Sequence, residues 1–280
     1  MDGSTTATSQ PAMSTGLTGP ALDPRDLPSL KGQVSDEEWR IRCELAATYR
    51  LAALFGWDDL IFTHISHRLP DEDGEPRFLI NPYGLLFEEI TASSLLKINM
   101  DGHKITDSPY AANPAGFTIH SAVHAARHDA ICVLHLHTPY GVAVSVQEDG
   151  LKRYTQFALV VHDDLAYHGY EGIALNLDER ERLIEDLGEK NCMLLRNHGT
   201  LTLGANCGIA FARMYFLERA CETQILAQAD KRKRLTQENA KMAALVASQA
   251  APGFVPGIGD RLLWPGLLRR LARNNPGWDQ

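Results

Sequence analysis

Two histidines stand one residue apart in the stretch ICVLHLHTPYGVAVS, at positions 135 and 137, inside a run that otherwise reads as buried β-strand. Residues i and i+2 of a strand project from the same face. His135 and His137 therefore sit side by side, as two donors to one metal ion would, while Leu134 and Leu136 turn the other way into a core. An imidazole is costly to bury without partners, so the pair needs a shared reason to be there. Hydrogen bonds to backbone or carboxylates would serve as well as a metal. His198, in RNHGTL, adds a third imidazole at a turn between strands. Three protein donors with one position left open is the arrangement of catalytic metal sites; a turn residue chosen for its backbone angles is the alternative.

His120, His124 and His128 follow at i, i+4 and i+8 in GFTIHSAVHAARHD, on one face of a helix. His120, nearest the helix start, could reach the same cleft and is the candidate proton carrier, since imidazole titrates near neutrality. His124 reads as packing, and His128, beside Asp129, as a surface residue favoured by the helix end. Spacing says little about His162 and His168.

The elements that must position these groups follow from pattern. SDEEWRIRCELAATYRLAALFGW opens with an N-cap and an acidic first turn, then carries apolar residues at helical spacing as far as Gly56. LIFTHISHRL, RFLINPYG and LKINMDGHKI are short β-rich segments separated by turn residues. GFTIHSAVHAARHD predicts a helix, AICVLHLHT the strand after it, and MLLRNHGTLTLG a strand pair around a tight Asn-His-Gly turn. From Cys207 to about Gln249 the pattern is helical, and the tail from Ala251 is broken by Pro and Gly. Residues 1–33 are expected to be disordered or draped on the surface, 34–229 to form one α/β domain, and 230–280 to form a helical and irregular extension.

The totals exclude several classes. A net charge of −8 without a Lys/Arg stripe argues against nucleic acid and anionic membrane as partners. The basic run DKRKRLTQ at 230–237 reads as a solvated helix face. Five cysteines without a CxxC motif read as reduced thiols. No apolar run reaches the ~18–20 residues that span a bilayer, and no secretory signal pattern is visible, so a cytoplasmic protein is expected.

Taken together, INPYGLLFEEITASSLLKINMDG, IHSAVHAARHDAICVLHLHTPYGVAVS and LLRNHGTLTLG resemble the class II aldolase/adducin family, from about Val34 to Ala229. The resemblance implies a three-layer α-β-α domain with a largely antiparallel central sheet. It also implies a homotetramer with its site near a subunit interface, and a metal held at positions matching His135, His137 and His198. Sugar-phosphate aldolases of the family place an acid/base glutamate where this chain has Gly116, after a Ser-Ser pair that reads Pro114-Ala115 here. His64 stands where those enzymes carry an asparagine, and Tyr83 where phosphate users have a threonine. A non-phosphorylated substrate is therefore expected, with His64, Asn81, Tyr83 and Gly84 as candidate substrate-binding residues. The missing glutamate leaves proton transfer to His120, foremost, to His64, or to Tyr154 or Tyr167 from an adjacent subunit.

Three functions fit these residues. The first is a divalent-metal-dependent carbon–carbon lyase, performing aldol cleavage or decarboxylation on a small hydroxy-carbonyl or carboxylate, with zinc foremost and manganese or iron as alternatives. The second is a mononuclear non-haem iron oxygenase. The third is a non-catalytic adducin-like binding protein. Adducins typically do not keep the complete metal-histidine set, whereas this chain keeps all three.

Overall fold

A computed structural model of the chain describes residues 23–71, 74–105, 107–172, 178–230, 232, 235–236, 240–250 and 253–280. Residues 1–22 and much of the basic run at 230–237 lie outside the described residues. The described residues form nine strands: β1 (His64–Arg68), β2 (Arg77–Ile80), β3 (Pro82–Tyr83), β4 (Leu96–Asn99), β5 (Ala111–Ala112), β6 (Cys132–Leu136), β7 (Leu165–His168), β8 (Cys192–Leu195) and β9 (Gly199–Gly204). The helices are α1 (Asp36–Leu54), α2 (Pro114–Ala126), α3 (Pro139–Ser145), α4 (Gln156–Val161), α5 (Glu179–Leu187), α6 (Cys207–Gln228), α7 (Ala240–Gln249), α8 (Phe254–Ile258) and α9 (Trp264–Asn274).

Seven strands form one sheet in the order β4-β2-β1-β6-β9-β8-β7. Every pairing in it is antiparallel except β7 with β8. Period-two alternation gives the sheet two buried faces. Cys132, Leu134 and Leu136 of β6 join a core with α1, α6 and α9 residues such as Leu45, Phe211 and Leu271. Val133 joins a second core with Ile119 and Val123 of α2 and Leu183 and Leu187 of α5. The expected three-layer α-β-α architecture with a largely antiparallel sheet is the one found.

Local chemistry starts and stops the helices where the sequence suggests. Ser35 caps α1, its side chain accepting from the Glu38 N–H at 3.1 Å, and Gly56 ends the segment with φ 69°. Asn206 caps α6 in the same way, accepting from the Ile209 N–H at 2.9 Å. Arg42, 1% exposed, pins α1 to the sheet edge: it pairs with Glu38 at 2.8 Å and donates to the carbonyls of Ala92 and Leu95. The C-terminal segment lies against α1 of its own chain. Arg50 donates to Asn275 and Pro276, and the N–H groups of Ala92 and Ser93 donate to the carbonyls of Trp278 and Gln280. No single helix among the described residues is long and apolar enough to cross a membrane.

Candidate metal centre

The strand carrying His135 ends at Leu136, so His137 stands just past the end of β6 rather than within it. His198 arrives from the β8–β9 hairpin, where Leu195 pairs with Gly199. The left-handed residue of that turn is Asn197, with φ 56°, and not His198. Gly199 serves close approach rather than backbone freedom: a Cβ there would stand 2.6 Å from the Leu136 carbonyl and 3.0 Å from the His137 ring. The three rings meet with centroids 5.2 Å (His135–His137), 4.8 Å (His135–His198) and 5.0 Å (His137–His198) apart. One nitrogen from each lies within 4.8 Å of the other two.

Hydrogen bonds set the tautomers. The Nδ1 of His135 lies 3.1 Å from the Thr200 carbonyl and that of His137 lies 2.8 Å from the Asp59 carboxylate. Neither partner can donate, so Nδ1 carries the hydrogen in both rings and Nε2 keeps a lone pair. The Nε2 of His137 is buried and has no protein partner. An orphaned buried acceptor is costly, and a cation shared with His135 and His198 would satisfy it. The carboxylate behind His137 is the outer support that metal-ligating imidazoles commonly have. Asp59 was not singled out from the sequence. It sits in the Trp57-Asp58-Asp59 loop, where adjacent acids just before the first sheet strand were the available signal. Thr63, at the end of that loop, has φ 67°, an uncommon conformation for a β-branched residue.

His120 does not reach the cleft. It is fully buried and both its nitrogens are engaged: Nε2 with His64 Nδ1 at 2.8 Å, and Nδ1 with the Ser66 hydroxyl. It is His64, across the ladder from His135, that stands against the centre, with ring centroids 4.9 Å apart. The reason is room at Gly116, where an added Cβ would fall 2.9 Å from the His64 ring. His64 thus fills the space over Gly116. Behind it runs a chain with one consistent polarity. The Ala130 carbonyl, 2.9 Å away, requires a hydrogen on His124 Nδ1, so His124 Nε2 accepts from the Ser66 hydroxyl at 2.7 Å. Ser66 then accepts from His120 Nδ1, and His120 Nε2 accepts from His64 Nδ1. His64 is left with a bare Nε2. His124, expected as packing, is the inner anchor of this chain.

The other sequence candidates have local employment. Asn81 is fully buried, its side chain accepting from the Tyr49 hydroxyl at 2.8 Å and its N–H donating to the same oxygen. Tyr83 lies in the two-stranded β3–β5 ribbon, and Gly84, with φ 102°, turns the chain after it. The Tyr167 hydroxyl accepts from the Leu151 N–H at 3.0 Å and its ring carries the Arg196 guanidinium at 4.4 Å. Among the described residues, neither Tyr154 nor Tyr167 touches the histidine cluster of its own chain. His168, on which spacing was silent, is buried and bonded to Asp186 at 2.7 Å.

Burial governs the protonation of these rings. It holds His64, His120 and His135 well below the ordinary imidazole range, with neighbouring histidines adding to the effect. His198 is lowered to about 4 and His124 to about 3, again chiefly by burial. These groups stay neutral in the folded chain but take up protons near pH 6.5 when unfolded. Their contribution is whole above that pH and is lost as pH falls towards 4 and then 3, at about 1.4 kcal/mol per pH unit for each histidine. Urea midpoints are therefore expected to drop between pH 7 and pH 5, and His124→Gln to lower that slope by about one proton. A midpoint independent of pH over this range would refute it.

Fold and site together describe an α/β protein whose largely antiparallel sheet presents a histidine triad at its strand ends. Residues 43–225 match the family model for the class II aldolase and adducin N-terminal domain, and the chain belongs to the class II aldolase/adducin family. It is 54% identical over 250 residues to a Caulobacter vibrioides protein provisionally named an aldolase class 2 protein, covering 89% of this chain and 96% of that one. Mouse alpha-adducin is 43% identical over 216 residues, 76% of this chain but only 29% of the adducin. Among solved structures, an aldolase II superfamily protein from Pseudomonas syringae superposes with a TM-score of 0.83 at 47% identity, covering 90% of this chain and all of that one. L-fuculose 1-phosphate aldolase from Glaciozyma antarctica superposes with a TM-score of 0.72 at 26% identity, covering 89% and 95%.

Proposed function

We propose that the protein is a divalent-metal-dependent carbon–carbon lyase acting on a small, non-phosphorylated hydroxy-carbonyl or carboxylate compound. The observation that carries this reading is the buried, unpartnered Nε2 of His137 within a triad whose nitrogens all lie within 4.8 Å. His135, His137 and His198 would hold the cation, with zinc foremost and manganese or iron as alternatives. When bound, it would polarise a carbonyl or carboxylate oxygen and stabilise the charge that develops there as a carbon–carbon bond breaks.

The chain's own residues do the rest. Asp59 orients His137 and the Thr200 carbonyl orients His135. His64 offers its bare Nε2 to a substrate hydroxyl, and His120 holds that ring in the accepting tautomer. Burial disfavours charge on His64, so a proton it takes is handed on to the product carbanion rather than stored. Tyr154 and Tyr167 remain proposed proton donors only across a subunit interface. A second copy is the proposed cover for the site's rim, where Leu60, Phe62 and Tyr170 are 65%, 47% and 57% exposed. Asn81, Tyr83 and Gly84 are proposed to shape the adjacent turn.

The second reading, a binding protein without turnover, is favoured by the 43% identity to alpha-adducin. Elemental analysis of the purified chain, combined with aldehyde, hydroxy-acid and oxygen-uptake assays, separates the readings. Stoichiometric zinc or manganese with cleavage of a hydroxy-carbonyl or carboxylate is expected. Iron with oxygen consumption would transfer the assignment to an oxygenase, and no metal in the triad would leave the scaffold reading.

A further inference from the structure

We propose that Glu44, His67 and Cys207 form a second cation site, on the opposite face of the sheet from the histidine triad, suited to a thiol-binding divalent ion of the zinc class. One ligand atom from each lies within 4.8 Å of the other two.

Alternation along β1 separates the two sites. His64 and Ser66 point towards α2, so His67 points towards α1, beside its ladder partner Cys132. Over that pair lie Glu44, from the middle of α1, and Cys207, the first residue of α6. Three elements distant in sequence thus deliver an imidazole, a carboxylate and a thiol to one point.

Each donor is prepared for the role. The Nδ1 of His67 lies 2.6 Å from the Arg68 carbonyl, which can only accept, so Nδ1 carries the hydrogen and Nε2 the lone pair. Among the described residues no protein hydrogen bond reaches that Nε2, although His67 is only 4% exposed. Burial lowers its pKa to about 4, which keeps the ring neutral and able to ligate. One oxygen of Glu44 is held by Arg40 at 2.7 Å, leaving the other for a cation. Cys207 is fully buried at the positive end of the α6 dipole, which favours an anionic ligand. The Cys132 thiol, 3.6 Å away, donates to its sulfur. Burial pushes the Cys132 thiol well up, so it stays protonated and acts as the supporting hydrogen bond that ligating groups commonly have.

The donor set selects the ion. A thiolate with imidazole and carboxylate suits zinc rather than calcium or magnesium, which take oxygen. Tetrahedral zinc ligands stand about 3.4–3.8 Å apart, and the three donor atoms already lie within 4.8 Å of one another, with the flexible Glu44 side chain able to adjust to an ion. Access is through a surface cavity of about 460 Å³ lined by Glu37, Arg40, Glu44, His67 and His128 among others. A bound ion there would fasten α1 and the start of α6 to β1 independently of the triad, with its fourth position left to water from that cavity.

The test uses the full chain carrying His198→Ala, stripped with chelator and titrated with cobalt(II). Thiolate-to-cobalt charge-transfer absorption in the near ultraviolet is expected to saturate at one equivalent, with a rise in Tm. The histidine triad contains no sulfur and cannot produce that band, so failure here and failure of the lyase reading are distinguishable. Adding Cys207→Ser should abolish the band. His67→Gln, which keeps the thiol, should weaken cobalt binding at least ~10-fold, and it carries the test if the serine variant does not fold. Absence of the band in the His198→Ala chain, its survival in the folded Cys207→Ser variant, or an unchanged cobalt affinity in the His67→Gln variant overturns the proposal.

Discussion

Replacing His198 by alanine is expected to remove one equivalent of metal and abolish turnover while leaving the fold intact. The imidazole is one of three that converge, and loss even of an outer partner of a metal ligand typically costs about 10–100-fold in affinity. Losing a ligand should cost at least that. The fold survives because the turn is held by its backbone: the His198 N–H donates to the Leu195 carbonyl at 3.1 Å, and Asn197 supplies the left-handed conformation. The side chain is only partly buried, so the stability change should stay within about 0.5 kcal/mol. Asp59→Asn is the graded companion, keeping all three rings but weakening the hold on His137, with affinity lower by about 10–100-fold. Elemental analysis after dialysis, with thermal melts in parallel, reads all of these outcomes. A His198→Ala chain with an undiminished metal complement would show that the triad is not the metal centre.

The second large effect is expected from Gly199→Ala. Its Cβ would sit 2.6 Å from the Leu136 carbonyl oxygen, 3.0 Å from His137 Cδ2 and 3.4 Å from His135 Cε1. The first of these is backbone in the middle of the sheet and cannot swing aside, so β9 must retreat from β6. That movement strains the ladder in which Leu136 pairs with Thr200 and His135 with Leu201, and it spreads two of the three rings. Overpacking of this kind costs about 1–3 kcal/mol, a Tm lower by several degrees. It should also weaken metal binding, because the triad's geometry depends on that contact. Calorimetry and a metal titration decide it: a Gly199→Ala chain with wild-type Tm and affinity would mean that the sheet yields there without consequence.

Much of the architecture was legible because it depends on local rules. The capped acidic start of α1, the alternation through β6 and the turn before Gly199 each follow from chemistry within a few residues. The resemblance of three sequence blocks to the class II aldolase/adducin family extended those pieces into a layered fold, and the family match over residues 43–225 agrees with it. What spacing could not rank was the second row of histidines. His120 and His64 both qualified by type, and helical periodicity favoured His120. The deciding fact is the contact between the His64 ring and Gly116, residues 52 apart in sequence. Asn81 failed as a free polar group for a similar reason: Tyr49, on α1, uses it.

By itself the sequence determined which side chains share a face, since helix and strand periods are properties of the backbone. It therefore set His135 on the face of β6 opposite Leu134 and Leu136. Only tertiary structure decided which nitrogens of the triad and its neighbours carry hydrogen, because that is set by acceptors that packing brings up to each ring: the Thr200 carbonyl at His135, the Asp59 carboxylate at His137 and the Ala130 carbonyl at His124. Periodicity chooses the face, and packing chooses the partner, because a hydrogen bond or a coordinate bond requires atoms within about 3 Å whatever their separation along the chain.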